Sequence, residues 1–176
     1  MSAKKKISLR RVLKVKEGVS GSLQSAGERN AAETELQGLI AKYAPEHGSL
    51  VTAVRRSLRK LLPTAHEVVY EYGGFFVVSY SPSGHGYEGV VAIHASADGV
   101  KLYFNHGKDL PDPENLLQGS AQARWIGLEG MSTLARPAVK SLIDEAIACS
   151  SVPFASDGRG SVMVRLTAAK KRGRGT

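Results

Sequence analysis

Apolar and polar positions divide the chain into strand-like and helix-like stretches, and the strand-like one fills its middle. From Glu67 to Phe104, β-branched and aromatic residues recur between three breaks rich in Gly, Ser, Pro and Asp, at residues 73–74, 81–89 and 97–99. Short apolar runs separated by such turn residues are typical of strands that fold straight back on one another. The pattern predicts a four-stranded antiparallel meander.

Three further stretches carry apolar residues at three- and four-residue spacing and predict amphipathic helices. Their predicted limits are Asn30 to Pro45, Ser49 to Pro63 and Pro137 to Cys149. Asn30 with Glu33 forms a capping-box pattern, and Ser49 is the expected cap of the second helix. The basic residues of the second helix lie away from its apolar stripe, and we interpret them as a solvated face rather than a phosphate-binding one. They are Arg55, Arg56, Arg59 and Lys60.

Two more strands complete the predicted sheet. Residues 123–128 offer a fifth strand, and residues 162–166 an additional edge strand. The expected fold is α+β: a two-layer sandwich with an antiparallel sheet of about five strands and helices on one face. Residues 1–30 are expected to be a disordered basic arm, 31–149 the folded domain, and 150–176 an extension with a basic end.

Charge is distributed unevenly along the chain, whose net charge is +8. Residues 1–30 carry eight Lys/Arg against two Asp/Glu, and residues 151–176 carry six against one. Residues 31–150 carry ten against thirteen. Because the positive charge belongs to the ends, it predicts at most a weak, salt-sensitive contact with RNA or DNA through the tails.

Several familiar signatures of chemistry are missing from the sequence. It holds no phosphate-binding Gly-rich loop with Lys, no G-x-S-x-G and no H-E-x-x-H. Its single cysteine, Cys149, gives no internal disulfide, so we expect a cytoplasmic protein. No run approaches the roughly 18 apolar residues that a membrane span needs. We therefore lean against an enzyme and expect no membrane association.

The strongest candidate site is the sheet face turned away from the helices. Alternation sends His94 to that face, and Lys101 and Tyr103 of the next strand share it. Tyr72 is a further candidate neighbour, and Arg124 a candidate ligand-binding cation. An antiparallel sheet with one wet face ordinarily shows such residues, so the alternative is a plain solvated surface. Trp125 is either a core anchor, which we favour, or a stacking surface.

Three carboxylates on a proline-shaped loop form a candidate metal site. Asp109, Asp112 and Glu114 offer the oxygen ligands that a hard cation or ferrous ion accepts. A polar loop shaped by Pro111 and Pro113 explains the same residues, and no histidine lies among them. We expect no cofactor, with iron as the alternative.

The order of elements also resembles a known family. The paired N-terminal helices, YEYGG, VVAIHAS, VKLYFNHG and the closing RPAVKSLIDEAIA helix are similar to the YdhG-like domain of unknown function over about residues 31–149. The most specific segment is LPDPENLLQGSAQAR, residues 110–124; Ala121-Gln122 stands where family members often carry Gly-Lys. The resemblance implies a frataxin-like α/β sandwich, and one bacterial branch implies an iron chaperone.

Three functions are consistent with these patterns. The leading prediction is a non-catalytic cytosolic module that binds a small ligand or a protein through the open sheet face; a second copy of the chain is a further candidate partner. The second is an iron carrier that adds Glu33 and Glu35 to the loop carboxylates. The third is a polyanion-associated protein whose binding vanishes when residues 1–30 and 168–176 are deleted.

Overall fold

The computed structural model describes residues 23–166, and the predictions made for residues 1–22 and 167–176 lie outside them. The helices are α1 (Ala26–Tyr43), α2 (Gly48–Leu61), α3 (Met131–Leu134) and α4 (Pro137–Ala148). The strands are β1 (His66–Glu71), β2 (Phe75–Ser81), β3 (Val91–Ser96), β4 (Gly99–Phe104), β5 (Arg124–Leu128) and β6 (Val162–Leu166). Single 3₁₀ turns occupy Pro45–His47, Gly86–Glu88 and Gly107–Asp109.

The strands form one open six-stranded sheet in the order β5-β4-β3-β2-β1-β6. The meander β1 to β5 is antiparallel throughout, and β6 adds to the edge of β1 in parallel. The α+β class with an open sheet is confirmed. The count is six rather than about five, because the expected extra edge strand, β6, is present and extends the sheet beyond residue 149.

The hydrophobic core lies on one face of this sheet. Alternate strand positions, such as Val78, Ile93 and Leu102, pack with the buried sides of α1, α2 and α4 in one cluster. Val68 and Ala92 are buried on the other face but do not belong to that cluster. The helices of the described region therefore cover one face, as the alternation in β3 and β4 predicted.

Two predicted helix starts are wrong. The capping box of α1 is formed by Ser25 and Glu28, not by Asn30 and Glu33, so the helix begins one turn earlier than expected. At α2 no side chain caps the start, because the preceding 3₁₀ turn runs directly into the helix and His47 takes the cap position in place of Ser49.

The basic face predicted for α2 is also wrong in one respect, because Arg55 is only 5% exposed. Its guanidinium binds the carboxylates of Glu33 in α1 and Glu67 in β1, and Arg59 binds both as well. The Tyr80 hydroxyl donates a 2.8 Å hydrogen bond to Glu67. We call these five residues the ionic cluster. Burial favours the neutral form of Glu33, but the two guanidiniums outweigh it and lower its pKa from 4.5 to about 2.

The loop between β2 and β3 covers one end of the helix-free face. The Ser79 hydroxyl donates to the carbonyl of Gly86, and the Asn105 amide donates to that of Gly89. Gly86 lies against the Tyr70 ring so closely that a Cβ there would overlap it. On the same face Val68 is fully buried, whereas His94 is partly exposed.

Candidate functional site

The helix-free face carries aromatic and basic side chains at several of its strand positions. Cross-strand register places Arg165, Tyr70, Val77, His94 and Lys101 in one lateral row, from β6 to β4. Within residues 23–166, no strand position on this face carries a carboxylate. The two acidic strand residues of that range, Glu67 and Glu71, point to the helix-covered face. The strand positions of this face therefore combine rings and cations and include no acidic side chain.

Five rings form a continuous line across this face, which we call the aromatic row. Tyr72 stacks on Phe75 with centroids 4.7 Å apart, and Phe75 stacks on His94 at 4.4 Å. His94 lies 5.6 Å from Tyr103, which lies 6.5 Å from Trp125. These separations are typical of aromatic pairs. The row thus crosses successive strands, roughly 19 Å at a strand spacing of about 4.8 Å.

The members of the row are partly exposed. Tyr72 is 41% exposed, and Phe75, His94, Tyr103 and Trp125 are half-buried against one another. The preference for Trp125 as a core anchor is wrong, because the register with Tyr103 places it on the helix-free face. A partly exposed ring keeps apolar surface available to a ligand, and burying that surface is favourable.

One cation contacts the aromatic row, and a second lies at the β6 edge of the same face, beside the β2–β3 loop. The ammonium group of Lys101 lies 4.2 Å from the centroid of the Trp125 ring, a cation–π contact. At the far edge the exposed Arg165 donates to the carbonyl of Gly84. An anionic group lying across the face would meet a positive charge near either border.

The electrostatic environment of His94 keeps its imidazole neutral. Burial lowers the pKa of His94 below its ordinary value of 6.5, and the charge of Lys101 lowers it further. Its Nδ1 is buried and has no hydrogen-bond partner among the described residues. No carboxylate or nucleophile within that region is hydrogen-bonded to the ring. At neutral pH it therefore contributes a flat, uncharged surface.

Arg124 does not join the other predicted site residues. Arg124 pairs with Phe104, whose side chain lies in the core. Its position therefore belongs to the core side of the sheet, and that of Trp125 to the helix-free side. Its guanidinium donates to the carbonyl of Gly119. His94, Lys101, Tyr103 and Tyr72 are brought together as expected, whereas Arg124 lies on the other face because neighbouring strand residues point in opposite directions.

The structure does not bring the predicted metal ligands together. Asp109 accepts a hydrogen bond from Gln122, Asp112 accepts from the backbone amides of residues 116 and 117, and Glu114 pairs with Arg136. Among residues 23–166, no group of three or more His, Cys, Asp or Glu is placed to hold a metal ion. Glu33 is engaged in the ionic cluster instead.

A cavity lies away from the row, between the β2–β3 loop and the end of α4. This cavity of about 180 Å³ is lined by Tyr87, His106 and Cys149 among others. No hydrogen bond joins these three side chains in the described part of the chain. The cavity therefore shows no arrangement of side chains typical of catalysis, and its residues are suitable as controls for the helix-free face.

Sequence reasoning missed two members of the site. Phe75 lies on the helix-free side of β2. Alternation along the strand predicts this position, because the next residue, Phe76, is buried in the core. Arg165 joins the face because the register between β6 and β1 places it opposite Tyr70, and no short-range pattern reveals that pairing.

Comparisons with known proteins add no relative. No family model, no curated protein and no solved structure matches the chain. Within the described residues, no helix is both long and apolar enough to cross a membrane.

Proposed function

We propose that this chain is a non-catalytic binding module that takes its ligand on the helix-free face of the sheet. The observation that carries the proposal is the aromatic row: rings from successive strands meet on one face, and no helix of the described region covers them. The hydrophobic core of this sheet lies on the other side and includes none of the five rings. The row is therefore not part of the core.

The surroundings of His94 favour binding over catalysis. General acid–base or nucleophilic catalysis needs a reacting group within hydrogen-bond reach of a partner that activates or orients it. The ring contacts of His94 are with Phe75 and Tyr103, and its nearest cation, Lys101, disfavours proton uptake. A neutral ring between two aromatic neighbours is suited to stacking.

The proposal is tested by titrating the full chain with indole and following backbone amide shifts by NMR. We expect the largest changes at His94, Lys101 and Tyr103, and we expect Tyr103→Leu to weaken binding. The matched control is Tyr87→Leu, a 76%-exposed tyrosine beside the cavity near α4. Shifts that cluster around the cavity, or an unchanged titration in Tyr103→Leu, would contradict the assignment of the face.

The non-catalytic part of the proposal has its own test. A screen of hydrolase and transferase substrates should give no turnover that depends on the row. Turnover that is present in the native chain and abolished in His94→Gln, with the fold preserved by circular dichroism, would overturn it.

We further propose a location, a family and a view on iron for this chain. We place the module in the cytosol on the ground of its single cysteine. Membership of the YdhG-like family rests on the sequence resemblance alone. Iron binding is not favoured by any contact of Asp109, Asp112 or Glu114, each of which already has a protein partner.

A further inference from the structure

We infer that the ligand of the helix-free face is a single-stranded nucleic acid, whose bases pack on the aromatic row and whose phosphates meet the cations of the same face. This inference rests on the proposed function and names its ligand class. Three features of the described residues carry it: the rings, the sign of the charge around them, and the edge of the sheet beside which the described residues begin and end.

The first feature is the chemistry of the row. Aromatic side chains on an open sheet stack with nucleobases irrespective of sequence, because every base has a π-face. The row offers four aromatic side chains and a neutral imidazole, so each ring that a base would contact is uncharged. Bases in a duplex are already stacked and paired, which makes a single strand the form that can use these rings.

The second feature is the charge of the face. Residues 31–150 carry a net negative charge, yet no carboxylate occupies a strand position on this side. Lys101 lies beside the Tyr103 and Trp125 end of the row, and Arg165 lies at the β6 border. A polyanion therefore meets positive groups at both borders and no acidic strand position between them.

The third feature is where the described chain begins and ends. The side-chain amide of Gln24 hydrogen-bonds both backbone groups of Val162, so the described chain begins beside the first residue of β6. β6 itself ends at Leu166, paired with Glu71 next to the Tyr72 end of the row. Residues 1–22 carry seven Lys/Arg and residues 167–176 carry four. The described chain thus begins and ends beside β6, the edge strand that carries Arg165.

A carbohydrate is the principal rival for an aromatic surface. Neutral sugars, however, bring no negative charge to the cationic border or to the basic residues of positions 1–22 and 167–176. A single strand of nucleic acid uses the rings and the cations together, which is why we prefer it.

The test measures binding of fluorescein-labelled uridine and deoxythymidine decamers to the full chain by fluorescence anisotropy, over a range of salt concentrations. We expect Tyr103→Leu to weaken binding about tenfold through lost stacking, whereas Tyr87→Leu leaves it unchanged. Lys101→Gln should reduce the salt slope by about 0.7, the value for one phosphate contact on a single strand. The matched control is Lys140→Gln, an exposed lysine on α4, and it should keep the native slope.

The outcomes separate this inference from the proposed function. Decamer binding that responds equally to Lys101→Gln and Lys140→Gln, and not to Tyr103→Leu, would mean attraction by net charge alone and would overturn the inference. No decamer binding, together with indole shifts at His94, would also overturn it but leave the binding face standing. Absence of both signals would remove both proposals. Thermal unfolding of each variant checks that the fold is kept, and Phe75→Leu provides a second ring deletion.

Discussion

Lys101 shows how much a single residue determines on the helix-free face. Its ammonium group lies over the Trp125 ring, and the residue pairs across the strands with His94. The cation–π contact holds the ammonium group in this position. Burial is the larger cause of the lowered pKa of His94, and the positive charge of Lys101 is the second cause. One side chain thus supplies a positive border and keeps the adjacent ring neutral.

We therefore predict that Lys101→Met raises the pKa of His94. The pKa should stay below 6.5, because burial is the larger cause of the shift and is not removed. NMR titration of the His94 ring protons measures both values. The matched control is Lys108→Met, an exposed lysine in the turn after β4, which should leave the pKa of His94 unchanged.

The lowered pKa of His94 also makes the free energy of unfolding depend on pH. With its pKa lowered on folding, His94 binds fewer protons in the folded state than in the unfolded chain. Its contribution to the free energy of unfolding is thus complete above about pH 6.5 and is lost as the pH falls below that value. A pKa of His94 that is the same in Lys101→Met as in the native chain would show that the lysine charge does not reach the imidazole.

At the scale of single elements, the ionic cluster joins the first two helices to the sheet. Glu33 belongs to α1, Arg55 and Arg59 to α2, Glu67 to β1, and Tyr80 to β2. A buried charge is tolerated only when its hydrogen-bonding capacity is satisfied by partners. Four elements are held in one arrangement because each contributes a group to the cluster.

We predict that Tyr80→Phe lowers the free energy of unfolding by about 1.5–3 kcal/mol, since it removes a buried hydrogen bond to a charged group without changing the shape of the ring. Burial, and after it the negative charge of Glu67, raises the pKa of Tyr80, so the hydroxyl keeps its proton and remains a donor. Urea unfolding measures the loss. Tyr103→Phe, on the helix-free face, is the matched control and should change stability by less than about 0.5 kcal/mol. Equal losses in the two variants would contradict a special role for the cluster.

The elements also show what the sequence pattern can and cannot predict. The meander, the three long helices and the parity of His94 against Ile93 follow from periodicity, because burial on one side imposes it. The ionic cluster could not be predicted from periodicity, because arginines at helical spacing give the same sequence pattern whether they face water or a buried carboxylate. The cue was available in β1, where Glu67 interrupts an apolar strand and requires a cationic partner.

At the scale of the whole molecule, the fold depends on the return of the chain to the edge where it began. After α4, residues 149–161 lead back to β1, and β6 then completes the sheet. On the way, Gly160 passes directly against the backbone of Ala65, and its carbonyl accepts a hydrogen bond from Arg29 of α1. Long-range pairing of this kind has no local signature, which is why the orientation of β6 and the place of Arg165 could not be predicted.

We predict that Gly160→Ala destabilises the fold by about 1–3 kcal/mol, because a Cβ at this position would overlap the carbonyl oxygen of Ala65 and force the backbone apart. The same change at Gly38, an exposed position in α1 with nothing within 4 Å of the new atom, should stabilise by about 0.5–1 kcal/mol, since alanine favours a helix interior. Thermal and urea unfolding compare the two. In Gly160→Ala, hydrogen exchange should rise first in β6, which would carry Arg165 away from the helix-free face and weaken decamer binding as well. If β6 kept its protection while stability fell, the close approach at Ala65 would not be what holds the edge strand in place.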